Sequence, residues 1–128
     1  MLEAVVAAQP TAPVLVGHSS ACALVARWGC DTRQLVRGAL LVAPSDVDAP
    51  SYPAGPTGFQ AMPLDPIPFR TIVVTTDDDP YVTLERARYF AETWGSELIV
   101  VPGAGHLNSD SNLGNWPEGL ALIDRLLK

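Results

Sequence analysis

The sequence predicts an α/β protein: a parallel sheet of about four strands with helices on both faces, a three-layer arrangement. Two observations carry this. The apolar runs Val14–Val16, Ala39–Val42, Thr71–Val74 and Leu98–Val101 are continuous rather than alternating, as strands covered on both faces must be. Segments with helical character lie between or after them, at Ser20–Trp28, Leu84–Trp94 and from Pro117 onward. The 128 residues suit one domain, 1–128, since domains commonly hold about 100–150 residues, and nothing in the chain repeats.

Each element has a local reason. Leu2–Ala8 is Ala- and Val-rich and reads as the last turns of a helix, closed by the Pro10–Pro13 stretch. The Val14–Val16 strand ends at Gly17. Ser20–Trp28 is small and apolar all round (Ala21, Cys22, Ala23, Leu24, Val25, Ala26), which predicts a helix buried on most sides and stopped by Gly29. After the Ala39–Val42 strand, Pro44–Pro68 is Pro-rich, holds Gly55 and Gly58 and has little periodicity. A loop that long in so small a domain predicts a lid or a pocket wall. In Leu84–Trp94, Leu84, Ala87, Ala91 and Trp94 share one face while Arg86, Arg88 and Glu92 lie elsewhere, and Gly95 stops the helix. Pro117 opens a last helix with Leu120, Ile123, Leu126 and Leu127 on one side.

Composition narrows the function classes. The formal charge is −6 with only 8 Lys and Arg, none clustered, so neither nucleic acid nor an anionic membrane surface is expected as a partner. No apolar run approaches the ~18 residues of a membrane span. Met1–Ala8 carries Glu3, has no basic start and does not read as a signal peptide. Cys22 and Cys30 lack metal-ligand spacing and read as two reduced thiols of a cytoplasmic protein, with no metal expected.

Right-handed crossovers set the strands side by side in sequence order, and sites in such sheets gather at the strands' carboxyl ends. Three features fall there: Ser19 after the first strand, Asp77–Asp79 after the third and His106 after the fourth. Gly17-His18-Ser19-Ser20-Ala21 approximates the G-x-S-x-G turn, with Ala in the last place. Small residues flank the serine because strand and helix approach closely there. A serine hydroxyl needs a base, and the chain has two histidines. His18 is adjacent to Ser19, where side chains diverge, and is expected to fill space behind the turn. His106, in Pro102-Gly103-Ala104-Gly105-His106, is the expected base, and the order Ser, Asp, His is the one α/β-hydrolases use. At most one of Asp77, Asp78 and Asp79 can orient the imidazole. Asp79 is favoured because it directly precedes Pro80-Tyr81-Val82, with Asp78 next. Tyr81, Trp116, Phe59 and Met62 are candidates to line a pocket.

VLVGHSSA, TTDDDPYVTLERA and GAGHLNSDSNLGNWPEG together resemble the small serine hydrolases related to retinoblastoma-binding protein 9 and bacterial YdeN. The similarity runs from about Pro13 to the C-terminus and is most specific around His106 and Trp116-Pro117-Glu118-Gly119. It implies a compact α/β-hydrolase fold and a catalytic triad of Ser19, Asp79 and His106. It also implies hydrolysis of small esters or related acyl compounds without a cofactor. Family members begin with further strands and a Gly- and Trp-rich loop that supplies a second oxyanion N–H. Against them this chain reads as N-terminally truncated, keeping only the Ser20 N–H. Val14–Val16 is then expected to form an apolar edge, so that the chain dimerises through it, is poorly soluble, or is a fragment of a longer reading frame. The alternative expectation is a catalytically impaired, hydrolase-like interaction module.

Overall fold

The computed structural model describes residues 2–50, 61–108, 111 and 113–128. Eight elements follow one another: α1 (Leu2–Ala7), β1 (Val14–His18), α2 (Ala21–Asp31), β2 (Gly38–Val42), β3 (Thr71–Thr76), α3 (Leu84–Trp94), β4 (Glu97–Val101) and α4 (Pro117–Leu127). The four strands form one sheet in the order β1-β2-β3-β4, and every neighbouring pair is parallel. This is the fold that the continuous apolar runs predict.

Side chains alternate across the sheet, so each strand feeds two cores. Ala39, Leu41 and Val73 pack with Cys22, Val25 and Ala26 of α2 and with Ala87, Phe90, Ala91 and Trp94 of α3. Leu40, Val42, Ile72 and Val74 pack on the opposite face with Leu122 and Leu126 of α4. Helices α2 and α3 thus form one outer layer and α4 the other. Every residue of β2 and β3 is buried, whereas β1 lies at the edge of the sheet with Val16 58% exposed.

Helix ends follow local chemistry. The Thr83 side chain accepts from the Arg86 N–H at the start of α3, and Gly95 closes it at φ 76°. The first contact is worth about 1 kcal/mol, and glycine takes the left-handed conformation without a Cβ clash.

Three expectations about the elements are corrected. Gly29 does not end α2, which continues to Asp31. A Cβ at Gly29 would lie 2.9 Å from the Phe69 ring, so this glycine makes room for a neighbour instead of breaking the helix. Leu24 is 50% exposed, so α2 is buried on one side only. On α4 the core face is Leu122 and Leu126, with Ile123 partly buried, while Leu120 and Leu127 are exposed.

The centre of the Pro44–Pro68 segment, residues 51–60 with Phe59 among them, lies outside the described residues. Its two arms belong to the core. Val47, Met62 and Ile67 are buried in the α2–α3 side, so Met62 is a packing residue. The arms are tied by Met62 N–H to the Asp48 carboxylate at 3.0 Å and by Trp94 Nε1–H to the Pro63 carbonyl at 2.7 Å.

Candidate active site

Strand register brings the site together. His18 pairs with Val42 at the ends of β1 and β2, and Thr76 pairs with Val101 at the ends of β3 and β4. Ser19 and Ala43 therefore leave the sheet side by side, as do Asp77 and Pro102. Strained backbone clusters at the same end. Ser19, Ala43 and Leu107 have φ of 63°, 48° and 53°, a region that costs a non-glycine residue about 1–3 kcal/mol.

Ser19 is held at its positive φ by main-chain bonds. Its N–H donates to the Val42 carbonyl at 3.0 Å, and its own carbonyl accepts from Cys22 N–H at 3.1 Å. Gly17 packs against the start of α2: an added Cβ would lie 3.4 Å from the Ala21 carbonyl oxygen, at ordinary contact distance. Beneath the turn, the buried Cys22 thiol donates toward the carbonyls of Gly17 and Val42. Burial pushes its pKa far above the ordinary thiol value, so it stays protonated and inert. The Ser20 N–H, at the start of α2, has no hydrogen-bond partner among the described residues.

The structure brings Ser19, His106 and Asp79 into one chain of contacts. Ser19 Oγ lies 2.9 Å from His106 Nε2, and His106 Nδ1 lies 2.8 Å from Asp79 Oδ2 and 3.0 Å from Oδ1. An ionised carboxylate only accepts, so Nδ1 carries the hydrogen and Nε2 presents its lone pair to the Ser19 hydroxyl. Asp79 and His106 are both 8% exposed. Asp79 Oδ1 also accepts the Tyr81 N–H at 2.8 Å, a second bond that holds the carboxylate beside the ring. Such a chain lets an imidazole take a hydroxyl proton while the carboxylate holds its tautomer.

Asp77 and Asp78 do different work from Asp79. Asp77 Oδ1 accepts the Gly103 N–H at 2.9 Å, and Asp78 Oδ1 accepts the Gly105 N–H at 2.8 Å. Thr76 Oγ1 donates to the Gly105 carbonyl. The end of β3 thus grips the loop that carries His106 residue by residue, with Gly103 and Gly105 at φ 67° and 65° supplying the bends.

Tyr81 sits beside this chain. Its ring meets the His106 ring edge-on at 4.6 Å and lines a cleft of about 530 Å³ with Asp78, Pro80, Ala104, His106 and Asn108. Trp116 does not line that cleft. It precedes α4 at φ 45° and packs in the α4-side core with Leu107, Leu113 and Ile123, and Gly119 leaves room for its ring. Nor does His18 fill space behind the turn. Gly17 faces α2, so the next side chain points to the other face. There His18 is exposed and donates through Nε2 to the His106 carbonyl at 3.0 Å.

Ser45 was not anticipated from the sequence. Its Oγ lies 2.8 Å from Ser19 Oγ, and it is 1% exposed. The one available signal was its place just beyond the second apolar strand, in Ala43-Pro44-Ser45.

Comparison with known proteins bears on the family and the fold. No curated protein matches the chain. A protein from Pectobacterium atrosepticum described as a YdeN-like hydrolase superposes with a TM-score of 0.81 at 25% identity, covering 98% of this chain and 63% of that one. This chain therefore spans less than two thirds of that protein's length. An α/β serine hydrolase homologue from Coxiella burnetii gives a TM-score of 0.60 at 24% identity, covering 90% of this chain and 49% of that one. A Mycobacterium tuberculosis protein described as the non-heme bromoperoxidase BpoC gives 0.71 at 14%, covering 99% and 71%. The last two likenesses show the α/β-hydrolase fold alone. The family model for serine hydrolases matches residues 1–125, and the chain belongs to that family.

Proposed function

We propose that the protein hydrolyses small esters or related acyl compounds, with Ser19 as nucleophile, His106 as general base and acid, and Asp79 as the orienting carboxylate. The observation that carries the reading is the unbroken contact chain from Ser19 Oγ through both ring nitrogens of His106 to Asp79. Its Ser19 end stands on a strained turn at the mouth of the sheet.

In this reaction the Ser19 oxygen attacks the acyl carbon as its proton passes to His106 Nε2. The imidazolium is stabilised by Asp79 and gives that proton to the leaving group as the acyl–oxygen bond breaks. Water then attacks the acyl-enzyme, its proton passing to Nε2, and Ser19 regains a proton as it leaves. The Ser20 N–H at the start of α2, without a partner among the described residues, is the donor available to the developing oxyanion. The cleft beside His106 and Tyr81 is where a substrate group reaches the site, and its polar lining of Asp78 and Asn108 suits a small, polar one.

The test is hydrolysis of a series of p-nitrophenyl esters from acetate to octanoate. We expect turnover that favours the short acyl chains and is abolished by Ser19→Ala. Equal rates for the wild type and Ser19→Ala contradict the proposal.

One observation favours a second reading, a hydrolase-like module that pairs with another copy of itself. The β1 edge is apolar, and Val16 is 58% exposed on it. In that reading the wild type elutes as a dimer and Val16→Lys elutes as a monomer, because a charge on an edge strand opposes strand addition. A wild type that elutes as a monomer rejects it. Among the described residues no helix is long and apolar enough to cross a membrane.

A further inference from the structure

The geometry points to Ser45 as a further member of the site: its hydroxyl donates a hydrogen bond to Ser19 Oγ and sets which lone pair of that oxygen attacks the substrate. The inference rests on Ser19 being the nucleophile.

Proton bookkeeping fixes the direction of this bond. Ser19 has one hydroxyl hydrogen, and His106 Nε2, with its lone pair presented, takes it at 2.9 Å. Ser19 Oγ is then only an acceptor toward its other neighbour. The Ser45 hydroxyl, 2.8 Å away, must be the donor. No other partner of the Ser45 hydroxyl is found among the described residues. At 1% exposure, turning it elsewhere would leave a buried donor without a partner.

The backbone holds Ser45 in place for this. Ala43 at φ 48° bends the chain as it leaves β2, and its N–H donates to the Val74 carbonyl at 2.7 Å. Ser45 N–H then reaches the Ser19 carbonyl at 3.4 Å, so the two serines are joined through main chain and side chain together. Asp46, the next residue, anchors the segment. Its N–H donates to the Tyr81 carbonyl at 2.9 Å, and its carboxylate pairs with Arg86 at 2.9 Å.

The chemical consequence follows from the shape of an sp³ oxygen. Ser19 Oγ carries its bond to Cβ, a hydrogen directed at His106 and two lone pairs. The Ser45 hydrogen occupies one lone pair and leaves the other free for the acyl carbon. During attack the Oγ–carbon bond forms from that free pair while the Ser19 proton moves to Nε2, and Ser45 keeps its own proton throughout. During deacylation the carbon–Oγ bond breaks. The Ser45 hydrogen then meets the negative charge that gathers on Oγ before His106 returns the proton.

The experiment is saturation kinetics of labelling by a fluorophosphonate with wild type, Ser45→Ala and Ser45→Thr, each confirmed folded by circular dichroism. We expect Ser45→Ala to lower the limiting labelling rate about tenfold with the half-saturating probe concentration unchanged. Ser45→Thr, which keeps the hydroxyl, should stay within about threefold of wild type; a tenfold change corresponds to about 1.4 kcal/mol, the scale of one hydrogen bond. Ser45→Ala labelling at the wild-type rate overturns the role of Ser45. So does a loss shared equally by Ala and Thr, which would mark a packing effect. A wild type that takes no label overturns the serine-hydrolase reading itself, and the Ser45 role with it.

Discussion

The two halves of the sheet's carboxyl end are held by different means. On the β3–β4 side, three consecutive aspartates each take a hydrogen from the facing loop: Gly103 N–H, Gly105 N–H and His106 Nδ1–H. On the β1–β2 side no charged side chain hydrogen-bonds to Ser19 among the described residues. The turn there is kept by main-chain bonds, two positive-φ residues and one neighbouring hydroxyl. One side is fixed by charge-assisted bonds that tolerate a wet loop. The other is fixed by strain and burial next to an open sheet edge. Under the proposed mechanism, the difference sets a firmly held imidazole against a nucleophile that must change its bonding twice per turnover.

The comparison predicts unequal losses. The largest falls on Asp79. Asp79→Asn keeps the shape but gives Nδ1 an amide that can donate, which favours the wrong tautomer; we expect kcat for ester hydrolysis to fall about 10⁴-fold with the melting temperature little changed. Unchanged kcat would remove Asp79 from the account. Asp78→Ala should act more mildly. It frees Gly105 N–H one residue before His106, so kcat should drop about three- to tenfold with a stability loss of about 1 kcal/mol in chemical denaturation. If Asp78→Ala matches Asp79→Asn in kcat, the division of labour among the three aspartates is wrong.

The smallest effect concerns a position next to this clamp. Thr75 is fully buried in β3, and its hydroxyl has no partner among the described residues. Thr75→Val replaces that hydroxyl by a methyl group of similar size and should raise stability by about 1 kcal/mol without altering kcat. A destabilised variant would mean that Thr75 Oγ1 has a partner beyond the described residues.

The same contrast decides what could be read from the sequence. Strands β2 and β3 were legible because burial on both faces leaves continuous apolar runs, and α3 because Gly95 stops an amphipathic stretch. The Ser19, Asp79 and His106 positions were legible because each follows a strand, and their meeting depends only on strand order and register. Ser45 was not, since a lone serine after Ala-Pro carries no pattern and its value comes from the Ala43 bend. His18 was misplaced because adjacency in sequence says nothing of which sheet face a side chain takes. Trp116 and Gly119, the most distinctive part of the C-terminal motif, are a packing pair rather than pocket wall. A conspicuous motif marks a tight fit as readily as it marks chemistry.

The central claim is that Ser19 is made nucleophilic by His106. It is tested most directly by mapping the fluorophosphonate adduct in tryptic peptides by mass spectrometry, in the wild type and in His106→Ala. The account predicts one adduct in the wild type, on the peptide that contains Ser19, and none in His106→Ala over the same exposure. An adduct on another residue, or equal modification of Ser19 without His106, contradicts it.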